Sequence, residues 1–189
     1  MSQEIEIEFK TMLTKEEFEL LRNRLPFPEQ PIVQINHYFE TELFALKDYR
    51  SALRIREKNN HFTLTLKEPH HEGILETHDS LSEFDANQWL KGHPTTPNHV
   101  MSRLDALSIN VTDLRYYGSL QTKRFTYQDG KIDYMLDESQ YHDMIDYELE
   151  IEAPSKDEGL QALRTLLQEQ TLKYREAQPK IARFFKAAF

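Results

Sequence analysis

No cysteine occurs in these 189 residues, which removes disulfides, thiolate nucleophiles and sulfur-ligated metal from the chemistry open to the chain. Glycine is scarce, at five, and no GxxxxGK[ST] loop is present, so a bound phosphate must be held by side chains rather than by a glycine-rich backbone cradle. There is no long apolar run and no secretory leader pattern, which predicts a cytoplasmic protein without a membrane role. Basic residues are the minority. The 23 Lys and Arg against 32 Asp and Glu leave a formal net charge of -9, which argues against a general nucleic-acid binder. No Gly/Ser-rich linker divides the chain, so one domain over 1–189 is expected.

What is present is charge arranged with period two. Glu4, Glu6, Glu8 and Lys10 alternate with Ile5, Ile7 and Phe9, and Asp146, Glu148, Glu150 and Glu152 alternate with Tyr147, Leu149 and Ile151. Each segment reads as a two-faced β-strand with its charges on one side. Same-face neighbours on a strand are about 6–7 Å apart, so stacked carboxylates repel unless a cation neutralises them. Oxygen-only ligands point to Mg²⁺ or Mn²⁺. Taken alone, either strand is as well explained as a charged, solvated edge.

A second set of strands carries the opposite sign. Arg54 and Arg56 share a face, as do Thr63, Thr65 and Lys67, and as do Thr122 and Arg124, while Lys123 points the other way toward solvent. Strands with one apolar and one charged face coexist if the charged faces line an interior and the apolar faces meet helices outside. An interior of that kind suits a polyanion with its metal, since Arg and Lys take phosphate oxygens and acids take the cation.

The ordered set Glu6-x-Glu8-x-Lys10, Arg54-x-Arg56, Lys67, Arg124 and Glu148-x-Glu150 resembles the CYTH superfamily, the triphosphate tunnel metalloenzymes, over essentially the whole chain. Within it the chain looks like the short bacterial members labelled adenylate cyclases. The resemblance implies an α+β fold, an eight-stranded antiparallel β-barrel whose charged tunnel is flanked by helices. It also implies a triphosphate substrate bound with divalent metal. Glu6, Glu8, Glu148 and Glu150 are then the expected metal ligands, with Glu4 and Glu152 in the outer part of the acidic face. Lys10, Arg54, Arg56, Lys67 and Arg124 are the expected clamps on phosphoryl oxygens. Lys180 resembles the family's C-terminal helix lysine and is preferred to Arg183. Asp137 is a further candidate, for a second metal or for orienting a water. No residue stands out as the water-activating group.

Thr14-Lys15-Glu16-Glu17 is a capping box that opens a helix through Leu25. Strands are expected at 32–40, 53–56, 62–67, 120–125, 131–137 and 146–152, with a hairpin turn at Asp129-Gly130. Two short helices are expected in 85–109, one over 157–176, and a last one from Pro179. His70, His71, Glu72, Glu76 and His78 fit no zinc spacing and sit beside Pro69 and Gly73, so they are read as a loop group. Tyr116, Tyr117, Phe125 and Tyr127 have strand spacing and are read as packing against helices. The function expected is hydrolysis of the terminal phosphate of a short triphosphate, with inorganic tripolyphosphate favoured. The alternatives are a class IV-type adenylate cyclase and a non-catalytic polyphosphate- or nucleotide-binding module.

Overall fold

The computed structural model describes residues 3–95 and 97–188. Nine strands and six α-helices are assigned among them: β1 Gln3–Glu6, β2 Glu8–Leu13, α1 Lys15–Arg24, β3 Ile32–Thr41, α2 Ala45–Asp48, β4 Ala52–Lys58, β5 His61–Pro69, β6 Ile74–Leu81, α3 Glu83–Leu90, α4 Asn98–Ala106, β7 Leu114–Asp129, β8 Ile132–Tyr141, β9 Met144–Glu152, α5 Lys156–Glu169 and α6 Lys180–Ala188. The class is α+β and antiparallel, as expected, with nine strands in place of eight. The difference arises at Ile7, where the period-two segment breaks: its carbonyl accepts from the amide of Ala153 at 3.1 Å, and β2 then pairs with β9. No helix among the described residues is long and apolar enough to cross a membrane.

The chain divides into two compact units, one of residues 1–5 and 34–120, the other of 6–33 and 121–189. In the first unit the strands hydrogen-bond in the order β1-β6-β5-β4-β3, followed by the first part of β7. Their inward apolar side chains Phe39, Leu53, Ile55, Leu64 and Leu66 pack on Trp89 of α3 and on Val100 and Leu104 of α4, all buried. Register then follows from the pleat. Leu64 and Leu66 enter this core, so Thr63, Thr65 and Lys67 must face the other way.

The second unit has the order β7-β8-β9-β2. Phe125, Leu136, Leu149 and Ile151 pack on Phe18 and Leu21 of α1 and on Ala162, Leu163 and Leu166 of α5. The capping box forms as read: the amide of Glu17 donates to the Thr14 hydroxyl at 3.2 Å, and the amide of Thr14 donates to Glu17 at 2.8 Å. Helix α5 stops at Glu169, earlier than expected, because Thr171 adopts a left-handed conformation with φ 57°. Beyond it the chain runs extended beside β2, where the amide of Met12 donates to the carbonyl of Arg175 at 3.0 Å. Of the aromatics read as packing on helices, Phe125 meets Phe18 of α1, whereas Tyr127 stacks on Tyr134 of β8 at 4.7 Å and Tyr116 lies against Phe39 of β3.

Candidate functional site

Each unit carries a cluster of charge on the face of its sheet opposite its apolar core, that is, opposite α3 and α4 in the first unit and α1 and α5 in the second. In the second unit the ladder itself builds it. Arg124 stands opposite Asp137, Asp137 opposite Glu148, and Glu150 opposite Lys10, so four strands deliver these side chains to one face. The Arg124 guanidinium donates to Asp137 through Nε at 2.8 Å and Nη2 at 2.6 Å, and Nη2 also meets Glu150. Lys10 donates to Glu8 at 2.6 Å and lies 3.8 Å from Glu150.

Helix α6 contributes the remaining cations. Lys180 Nζ is 2.8 Å from Asp137 and 2.9 Å from Glu150, and it contacts Glu148 as well. Arg183, one turn on and on the same helical face, donates to Glu148 at 2.6 Å and to Asp146 at 2.8 Å, and Asp146 also accepts from the Tyr141 hydroxyl. The three-residue spacing of Lys180 and Arg183 places both on one face of α6, and both reach the acids. Asp137 lies mid-strand in β8, with no exposed surface.

The electrostatics follow from burial. Removal from water pushes the Asp137 carboxyl up, but the charges of Arg124 and Lys180 outweigh this and hold it well below the usual carboxylate range. Burial drives Glu150 the other way, upward, because the neighbouring Asp137 and Glu8 charges add to desolvation and Arg124 and Lys10 offset it only in part. Burial pulls the Lys180 ammonium down to about 7, with Arg124 and Lys10 adding repulsion against the attraction of Asp137. Burial also opposes the charge on Lys10, yet the fields of Glu150, Glu8 and Glu6 keep its pKa raised.

In the first unit Arg54, Arg56 and Lys67 gather on the face shared by β4, β5 and β6. Lys67 stands opposite Glu76 and contacts it, Arg54 Nη2 is 3.7 Å from Glu76, and Arg56 donates to Asn36 at 3.1 Å. Glu4 is also in this unit, apart from the Glu8 and Lys10 with which the sequence grouped it, because the break at Ile7 separates β1 from β2. The expected loop group divides: His70, His71 and Glu72 lie at the β5–β6 turn, whereas Glu76 and His78 stand on β6. Lys123 faces away from the cluster, half exposed, and pairs with Glu138 at 2.7 Å.

The CYTH domain family profile matches residues 4–185. The chain belongs to the CYTH family. It is 46% identical to a Bacillus subtilis protein named "Putative triphosphatase YjbK", over 98% of this chain and 97% of that one. Among solved structures it resembles a protein of Bacillus halodurans described as a "putative adenylate cyclase", with 40% identity, a TM-score of 0.94, and coverage of 98% of this chain and all of that one. It also resembles a "putative adenylyl cyclase" from Hippeastrum described as having a dominant triphosphatase activity, at 25% identity and TM-score 0.79, covering 97% and 96% of the two chains. The charged residues singled out in the sequence divide between two clusters, one rich in buried acids and one rich in bases.

Donor chemistry in the acid cluster fits the divalent ion on which CYTH enzymes depend. One carboxylate oxygen each from Asp137, Glu148 and Glu150 lies within 4.8 Å of the others, all three residues are buried, and Lys180, Arg124 and Arg183 of the chain itself supply positive charge among them. An all-oxygen set of this kind suits a hard cation.

Proposed function

We propose that this protein is a metal-dependent phosphohydrolase acting on short linear triphosphates, with inorganic tripolyphosphate as its preferred substrate. The observation that carries the reading is the buried carboxylate trio Asp137, Glu148 and Glu150, ringed by Lys10, Arg124, Lys180 and Arg183. Charges buried only to pair with one another stabilise a fold poorly, because desolvation can exceed the Coulombic gain. A cluster this dense is better accounted for by a ligand that brings both a cation and an anion. The names of the Bacillus subtilis and Hippeastrum relatives support the hydrolytic reading.

Asp137, Glu148 and Glu150 would hold Mg²⁺ or Mn²⁺, with Glu6 and Glu8 assisting; the ion, when bound, offsets negative charge on the phosphoryl oxygens. Lys10, Arg124 and Lys180 take phosphoryl oxygens in place of the carboxylates they now contact, and Arg54, Arg56 and Lys67 act as further clamps. Water attacks the terminal phosphorus in line: its oxygen forms the new P–O bond as the bridging P–O bond breaks, releasing orthophosphate and diphosphate. The protein's part is positioning and charge neutralisation, which is what a loose phosphoryl transition state requires.

The test is product analysis with tripolyphosphate or ATP, each with Mg²⁺, Mn²⁺ or EDTA, beside the Glu148→Gln variant. The expected result is metal-dependent orthophosphate from tripolyphosphate, lost by a factor of about 100 or more in the variant. Cyclic AMP and diphosphate from ATP would replace this reading with the cyclase. Full activity in Glu148→Gln would remove the metal assignment.

A further inference from the structure

His78 stands on the same face of β6 as Glu76, two residues away, and donates to Glu4 of β1. The Nε2 of His78 is 3.0 Å from Glu4 Oε1 and 3.5 Å from Glu76 Oε2. Ligand atoms of all three lie within 4.8 Å of one another. Metal–ligand bonds of roughly 2.0–2.2 Å put adjacent donors about 3 to 3.5 Å apart, which the two His78 distances match, with the third pair within reach of one ion.

The second ring nitrogen is also engaged. His78 Nδ1 is 2.9 Å from the hydroxyl of Thr65, its direct partner across the ladder, and Thr65 is buried. A polar partner on one nitrogen fixes the tautomer and orientation of a metal-ligating imidazole. With Nε2 protonated, the ring donates to Glu4; with an ion bound, the Nδ1 proton would go to the Thr65 hydroxyl and free the Nε2 lone pair for the metal. Glu76 meets Lys67 through its other oxygen, Oε1, so ion pair and coordination use different atoms. Arg54 Nη2 forms a longer ion pair with Oε2, at 3.7 Å, which an ion at this site would share or displace.

We infer that Glu4, Glu76 and His78 form a second divalent-cation site, selective for a transition metal such as Zn²⁺ over Mg²⁺. One imidazole nitrogen with two carboxylate oxygens is a borderline donor set, unlike the all-oxygen cluster of Asp137, Glu148 and Glu150. Because Glu4 belongs to β1 and the other ligands to β6, an ion there ties the N-terminal strand to its neighbour.

The test is calorimetric titration of Zn²⁺ into the full chain, in excess Mg²⁺ to fill the carboxylate cluster. A His70→Ala/His71→Ala background removes the histidines of the turn. One Zn²⁺ site is expected, with Kd at least tenfold higher in His78→Ala and in Glu4→Gln, and about tenfold higher in Thr65→Val. The Glu4 side chain is 67% exposed, so its variant keeps the fold and the test stays decisive if His78→Ala does not fold. Co²⁺ bound in place of Zn²⁺ gives a visible absorption that changes on removal of His78. Zn²⁺ affinity unchanged by both substitutions, or Mg²⁺ bound at this site as tightly as Zn²⁺, would overturn the inference and leave a metal-free hydrogen-bonded latch between β1 and β6. The readout is binding, so it is decided separately from triphosphate hydrolysis.

Discussion

The ammonium of Lys180 lies 2.8 Å from the carboxylate of Asp137, and Asp137 has no exposed surface. The same ammonium reaches Glu148 and Glu150, so one side chain of α6 contacts three buried acids. Without Lys180 the three acids are left to Arg124, Arg183 and Lys10, fewer cations than these acids and their neighbours Glu8 and Asp146 require. We expect Lys180→Met to lose stability in EDTA, by less than the roughly 3–5 kcal/mol of a buried pair left with no counter-ion at all. A divalent ion placed among the same carboxylates replaces the missing charge, and binding to the folded state alone stabilises by mass action. Mn²⁺ should therefore raise the Tm of Lys180→Met more than that of the parent. Equal Mn²⁺ responses in the two proteins would show that metal and ammonium do not share these acids.

Arg54 is assigned to the substrate rather than to the fold. Its nearest carboxylate, Glu76, also has Lys67, so truncation leaves that acid compensated. Arg54→Ala should raise KM for tripolyphosphate about tenfold or more, with thermal stability little changed, as expected for a lost charge-assisted phosphate contact. An unchanged KM would take Arg54 out of the clamp.

The alternation of β2 and β9 was legible because one face of each is apolar and core-forming and the other is charged, so the period-two signal is undiluted. The break at Ile7 was not, since Glu4 to Lys10 alternates without interruption and periodicity carries no information about which neighbour a strand pairs with. Strand β6 was hidden for a different reason. Its side chains opposite Glu76 and His78 include Thr77 and Asp79, which are buried but polar. Thr77 accepts from Gln3 at 3.0 Å, and Asp79 accepts the amides of His99 and Val100 at 3.0 and 2.7 Å, capping α4. Hydrogen bonds thus satisfy positions where a sequence reading looks for apolar residues. The basic and acidic site residues could be listed from charge and order along the chain, but their pairings depend on register and on α6, and neither is encoded locally.

Glu40 supports the segment that follows β3. It is 2% exposed and accepts three backbone amides, from Thr41 at 2.7 Å, Leu46 at 3.0 Å and Lys47 at 2.9 Å. In Glu40→Gln the amide group would present a donor to one of these donors. The expected cost is roughly 2 kcal/mol, or about 4–8 °C in Tm for a chain of this size. A Tm within 1 °C of the parent, on the order of the noise of such a measurement, would mean that the loop amides find other acceptors.

Glu17 gives a stability contribution whose pH dependence has a definite sign. It joins the end of the chain to α1: the Arg175 guanidinium donates to it at 2.6 and 3.0 Å, while its own carboxylate also accepts the Thr14 amide that completes the capping box. Hydrogen bonds from Arg175 and Thr14 favour the ionised form and lower its pKa, against a smaller opposing effect of desolvation. A carboxylate whose folded pKa is depressed contributes stability above its unfolded pKa, about 4.3 for Glu, and loses that contribution as pH falls through the folded value. Because Arg175 is partly exposed, solvent screening keeps the effect small, near 1 kcal/mol at pH 7 for Glu17→Gln. Urea unfolding of parent and variant should therefore differ at pH 7 and converge as the pH is lowered below about 4. A difference that stays constant from pH 7 to pH 3, roughly the span over which Glu titrates, would show that Glu17 acts through packing or helix propensity rather than through its charge.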